Sequence, residues 1–160
     1  MKEIEEDTMF RNSFVHILTK ILVDIMFYGG IVCCLAVPLV LRSSLLPLHE
    51  YGEGRYYLFY CIILIIAGSC CVYILWQLKI IFRSLSGGNP FVSENVSCLR
   101  KSGVASFLIA LVFMIETLRF LLISAFFLVI IFALLGLFCL TLKDVFKQAI
   151  AYKEENDWTV

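Results

Sequence analysis

The chain has 160 residues, of which 61% are hydrophobic and 16% charged, with a formal net charge of zero and a mean hydropathy of +0.94. Soluble domains run at about 45–50% apolar and about 25% charged, so this composition leaves too little polar surface to coat a globule in water. Disorder is also excluded, because it needs a chain poor in aromatic and branched residues, and this one is 14% aromatic. The expected fold is all-α: a polytopic membrane protein with four transmembrane helices in an antiparallel bundle and cytoplasmic helical extensions, forming a single domain over 1–160.

The chain opens Met1-Lys2-Glu3-Ile4-Glu5-Glu6-Asp7, an acidic start that does not suit a cleavable signal peptide. This N-terminal dozen is expected to fray, and the first apolar run to be a retained helix. That run, about Ile21 to Leu41, lies between Lys20 and Arg42 and is long enough for one span. Asp24 falls one turn inside its boundary, four residues from Lys20, and an i, i+4 ion pair with Lys20 accounts for it. Gly29 and Gly30 lie mid-span, and Pro38 should bend the last turn.

The second span runs from about 56 to 78, with Tyr51, Tyr56, Tyr57 and Tyr60 clustered at one end and Trp76 near the other. Gly68 and Ser69 share the depth of Gly29 and Gly30 in an antiparallel hairpin, so the two spans are expected to cross there through small residues. The loop over 79–102 contains Ser86-Gly87-Gly88-Asn89-Pro90, in which glycine ends one helix, Asn89 caps the next and Pro90 takes its first position. Val92, Val96 and Leu99 then recur at i, i+4 and i+7, predicting an amphipathic lead into the third span.

From Gly103 to Leu142 only Glu116 and Arg119 interrupt an apolar stretch of forty residues. One helix of that length would be about 60 Å, twice the hydrocarbon thickness, so it must fold back. Spans are placed at about 103–120 and 124–142 with a very short turn. Glu116 and Arg119, spaced i, i+3, are expected to neutralise each other near the headgroups. A tail over 143–160 follows, its stretch from Lys143 to Tyr152 expected to continue as an amphipathic helix.

Sorted by position, Lys2, Arg11, Lys20, Lys79, Arg83, Arg100, Lys101, Lys143, Lys147 and Lys153 collect on one side of the membrane, against Arg42, Arg55 and Arg119 on the other. The positive-inside rule therefore places both termini and the middle loop in the cytoplasm. The seven cysteines lack metal or redox spacing, and His16 and His49 have no neighbouring ligand set. No nucleotide, hydrolase or zinc-protease signature occurs, so neither a catalytic residue nor a metal or cofactor is expected.

Two stretches resemble a known family. Lys79 to Gly103, with Gly88-Asn89-Pro90-Phe91 at its centre, looks like the Gly-Asn-Pro-Phe loop of the YoaS-like family of small bacterial membrane proteins. The ending Lys153-Glu154-Glu155-Asn156-Asp157-Trp158-Thr159-Val160 is similar to that family's Glu-Asn-Asp-Leu-Thr-Ile, departing at Trp158 and Val160. The resemblance implies a cytoplasmic-membrane location, no known reaction, and a partnership with a small cytoplasmic helix-turn-helix regulator.

The function expected is interaction or regulation, as a sensor or sequestering protein working through its cytoplasmic loop and tail rather than by catalysis. The partner-contact residues are Asn89, Pro90, Phe91, Arg100, Glu154, Glu155, Asp157 and Trp158, the tail docking on the Gly87 to Leu99 loop with Arg83, Arg100 or Lys101 as counter-charges, or on a partner. The other partners are the lipid bilayer and a second copy of the chain, with no direct nucleic-acid contact. The alternative is a small transporter or channel subunit acting as an oligomer, which would need a polar face continuous across the membrane.

Overall fold

The computed structural model of the chain describes residues 2–42, 54–86, 92–120 and 123–157, with side chains described for 17–41, 58–85, 92–119 and 123–155. Four helices account for nearly all of it: α1 (Lys2–Arg42), α2 (Gly54–Ser86), α3 (Ser93–Phe120) and α4 (Ile123–Asp157). Each contains a stretch long and apolar enough to cross a membrane. Such a helix satisfies its backbone internally where no water can. Side-chain hydroxyls are absorbed the same way, Ser69, Ser106, Thr117 and Thr141 each donating to the carbonyl four residues back.

Successive helices pack antiparallel, as matched contacts along each pair demonstrate. Asp24 meets Lys79 while Cys34 meets Gly68, so α1 rises as α2 descends. Ser84 meets Asn95 while Phe59 meets Arg119 across α2 and α3. Gly103 meets Gly136 and Phe113 stacks on Phe132 across α3 and α4. The main packing follows chain order, α1 on α2, α2 on α3 and α3 on α4. Half of the residues in α3's apolar stretch are buried, against 11% in α1 and 17% in both α2 and α4. The third helix is therefore the interior one, and Ile109, fully buried with Phe113 and Ala67, marks the centre of the core.

Two elements differ from expectation. The N-terminal dozen does not fray: α1 is helical from Lys2. Glu3, Glu5, Glu6 and Asp7 lie in its first turns, where negative charge complements the positive end of the helix dipole. At the middle loop, Val92 lies outside the helix and α3 starts at Ser93, with the backbone N–H of Asn95 donating to the Val92 carbonyl at 3.0 Å. Ser93 and Glu94 supply the polar start of α3. Asn89, Pro90 and Phe91 themselves lie outside the described residues, as does Trp158.

The register also measures how far the terminal helices outrun the central hairpin. With Gly103 opposite Gly136, the start of α3 lies level with about residue 146 of α4, so α4 runs on for about 16 Å beyond it. By the Asp24–Lys79 match, α1 extends about 20 Å beyond the end of α2 at the same end of the molecule.

Candidate functional site at the basic end

The end that carries both termini and the α2–α3 connection also gathers most of the cations. Asp24 and Lys79 form an ion pair there at 2.7 Å, bridging α1 and α2. This corrects the intrahelical pairing of Asp24 with Lys20. The antiparallel register delivers a lysine at the depth of Asp24 itself, whereas Lys20 sits one turn further out and stays exposed. The Lys79 ammonium also lies 5.5 Å from the ring centres of Phe27 and Tyr28, and Phe27 tilts against Trp76 at 5.7 Å. An ion pair ringed by aromatic side chains, with Tyr28 and Trp76 exposed, has the composition of a membrane–water boundary.

The crossing of α1 and α2 uses one glycine from each helix rather than all four small residues. A Cβ on Gly30 would meet Val72 at 3.2 Å, and one on Gly68 would meet the Cys34 Sγ at 2.6 Å. Gly29 has nothing within 4 Å. Ser69 faces α3's side and bonds to its own helix at Ile65. The 3.6-residue period separates neighbours by about 100°, so adjacent small residues cannot both serve one contact.

Between α2 and α3 the buried surface is unexpectedly polar. Gln77, Asn95, Ser102, Ser106 and Glu116 are all buried. Asn95 donates through its amide to the Ser84 Oγ at 3.2 Å, tying the two helices together just above their connection. The Oε1 of Gln77 has no hydrogen-bond partner among the described residues. Cys98, Ser102, Ser106 and Ala110 repeat every fourth residue along this face, a small-residue stripe that lets neighbouring backbones approach. That stripe is the signal which would have identified α3 as the interior helix. The polar groups do not run through: Ile109 and Phe113, the latter stacked on Phe132 at 6.2 Å, separate Ser106 from Glu116.

At the opposite end, Glu116 and Arg119 do not pair with each other. Among the described residues no ion pair joins them: Glu116 is buried, whereas Arg119 is exposed with its guanidinium 5.0 Å from the Phe59 ring centre. The longer arginine reaches a ring face at the rim, where cation–π attraction needs no buried partner.

Arg100 and Lys101 are exposed where α3 leaves the basic end, at the mouth of a groove of about 370 Å³ between α2 and α3. Glu154 and Glu155 are exposed on α4, which stays helical through Asp157. Arg100 is level with about residue 139 of α4 by the Gly103–Gly136 match, which leaves Glu154 about 20 Å further along the axis. Arg100 and Lys101 therefore cannot serve as counter-charges to the tail, because a straight helix carries its carboxylates past them. Contact between the tail and residues 87–91 lies outside the described residues.

Four membrane-length helices, arranged as antiparallel neighbours with polar groups concentrated at one end, define a multi-pass membrane protein. The chain belongs to the family described as protein of unknown function (DUF2975), whose match covers residues 37–160. That range holds all of α2, α3 and α4 but only the last turns of α1. Comparison with curated proteins and with solved structures finds no match to either.

Proposed function

We propose that this chain is a non-enzymatic interaction or regulatory protein of the bacterial cytoplasmic membrane, a sensor or sequestering partner acting through its basic end. In this reading both termini and the α2–α3 loop are cytoplasmic, as the ten-to-three division of Lys and Arg favours. The observation that carries the proposal is the reach of α4. It projects as helix past the start of α3 and exposes Lys153, Glu154 and Glu155 there, and the Gly-Asn-Pro-Phe sequence at 88–91 supports grouping the chain with YoaS-like proteins. A mixed-charge projecting helix offers a partner surface. The partner fitting that resemblance is a small cytoplasmic helix-turn-helix regulator, so contact with nucleic acid would be indirect.

The transport reading requires polarity continuous across the membrane, and the Ile109–Phe113–Phe132 packing favours the interaction reading over it. The deciding experiment is affinity capture from native membranes with the full chain, with Asn89→Ala/Phe91→Ala, and with residues 153–160 deleted. A cytoplasmic protein recovered with the full chain and lost with both variants supports the proposal. Recovery of none, together with ion flux in liposomes containing the purified protein, overturns it. Cysteine labelling from each side of the membrane tests the orientation.

A further inference from the structure

The groove between α2 and α3 has a polar mouth and an apolar body. Arg100 and Lys101 stand at the mouth, and neither has an ion-pair partner among the described residues. Lys79, with its ring of aromatic side chains, is at nearly the same level on α2, as the pairing of Ser84 with Asn95 sets the register. The mouth thus lies at the membrane–water boundary. Inward from it the walls are Cys70 and Tyr73 on α2 and Val104, Ala105 and Leu108 on α3. Tyr73, Val104 and Leu108 are each about half exposed, so the groove opens sideways toward lipid rather than into the bundle. At its deep end the Ser69 hydroxyl donates to the Ile65 carbonyl, and the walls inward of the cations are otherwise mainly apolar. From Arg100 to Leu108 the groove is about 12 Å long.

We propose that this groove is a binding site for one anionic glycerophospholipid, with its phosphate between Arg100 and Lys101 and an acyl chain lying along Cys70, Val104 and Leu108. Two unpaired cations at headgroup depth complement a phosphodiester. A channel walled mainly by apolar atoms inward of the cations complements a hydrocarbon chain. A second copy of the chain fits less well, because the acids of α1 and α4 nearest that level, Asp24 and Asp144, already pair with Lys79 and Lys143. Such a lipid would brace α2 against α3 on the membrane side of the point where Asn95 and Ser84 join them.

The test is native mass spectrometry of the full-length protein released from nanodiscs holding equal amounts of phosphatidylglycerol and phosphatidylcholine. One phosphatidylglycerol per chain is expected to be retained in preference to phosphatidylcholine. Arg100→Gln with Lys101→Gln should weaken that retention about 25-fold, each cation at an anionic headgroup being worth about a factor of five. Val104→Trp, which fills the groove from its open side and keeps both cations, should weaken it as well, and Leu108→Trp serves if that variant fails to fold. Glycerol 1-phosphate at millimolar concentration should not displace the lipid. Equal retention of the two lipids, retention unchanged in the charge-neutral variant, displacement by free glycerol phosphate, or a lipid-free dimer that Val104→Trp splits would each overturn the proposal.

Discussion

The two outer helices of this protein meet their neighbours in different ways. Between α3 and α4 the backbones themselves touch: a Cβ on Gly103 or on Gly136 would lie 3.2 Å from the other's carbonyl oxygen, with Leu140 and the Phe107 ring closing the remaining space. Between α1 and α2 the approach is limited by side chains, Val72 against Gly30 and the Cys34 Sγ against Gly68, and an ion pair at the rim adds to it. In lipid the tails are as apolar as leucine, so helices associate through close packing and polar contacts rather than expulsion of water. The α2–α4 portion is therefore the packed core, and α1 is an added helix held by fewer and softer contacts. The family match, which begins at residue 37, divides the chain near the same place.

That contrast can be broken by substitution. Gly136→Leu should be the most damaging change, because it drives a side chain into the Gly103 carbonyl, and the two helix backbones would have to separate. Overpacking of this kind costs about 3 kcal/mol, read as a loss of folded fraction in detergent–denaturant titration. Ile109→Ala should come next, at about 2 kcal/mol. The transfer contribution of a soluble core is largely missing when the unfolded reference also lies in lipid, so the cavity left beside Phe113 and Ala67 dominates.

Gly68→Ala should cost less than about 1 kcal/mol, since the Cys34 thiol can rotate away where the Gly103 carbonyl cannot. Finding it as damaging as a change at Gly136 would erase the distinction between the two contacts. Asp24→Asn should have the smallest effect, about 0.5 kcal/mol, because both partners of its ion pair are partly exposed and screened. Its signature should be local, with faster hydrogen exchange confined to α1 and the facing part of α2. A charge-reversed pair, Asp24→Lys with Lys79→Asp, should restore the protection.

Much of the architecture could be read directly from the residues. Two apolar runs of span length and a third of about twice that length leave few options, and the length of the third forces the fold-back into α3 and α4. The contacts were harder to read. Periodicity in a soluble helix separates an inner face from an outer one, but here both faces are apolar, and the informative residues were the small and polar ones. Gly136 and the repeat Cys98, Ser102, Ser106 and Ala110 carried that signal. Asn95, within an amphipathic turn that suggested only a lead-in to the membrane, turned out to be buried against Ser84. The intrahelical ion pairs failed for a related reason. Spacing along one helix identifies who is within reach, while the neighbouring helix decides who is at the right depth.

The sequence by itself determined the solvent, the number of helices and the alternation of their direction, because burial of backbone in lipid admits only helices of a certain length and composition. Only the tertiary structure decided that α3 is the interior helix, that Asp24 belongs to Lys79, that α4 outreaches the start of α3, and that Arg100 and Lys101 open onto an apolar groove. Those facts depend on the relative rotation and axial shift of neighbouring helices. Close packing sets both, through a few glycines and small side chains whose effect is invisible until the partner helix is in place.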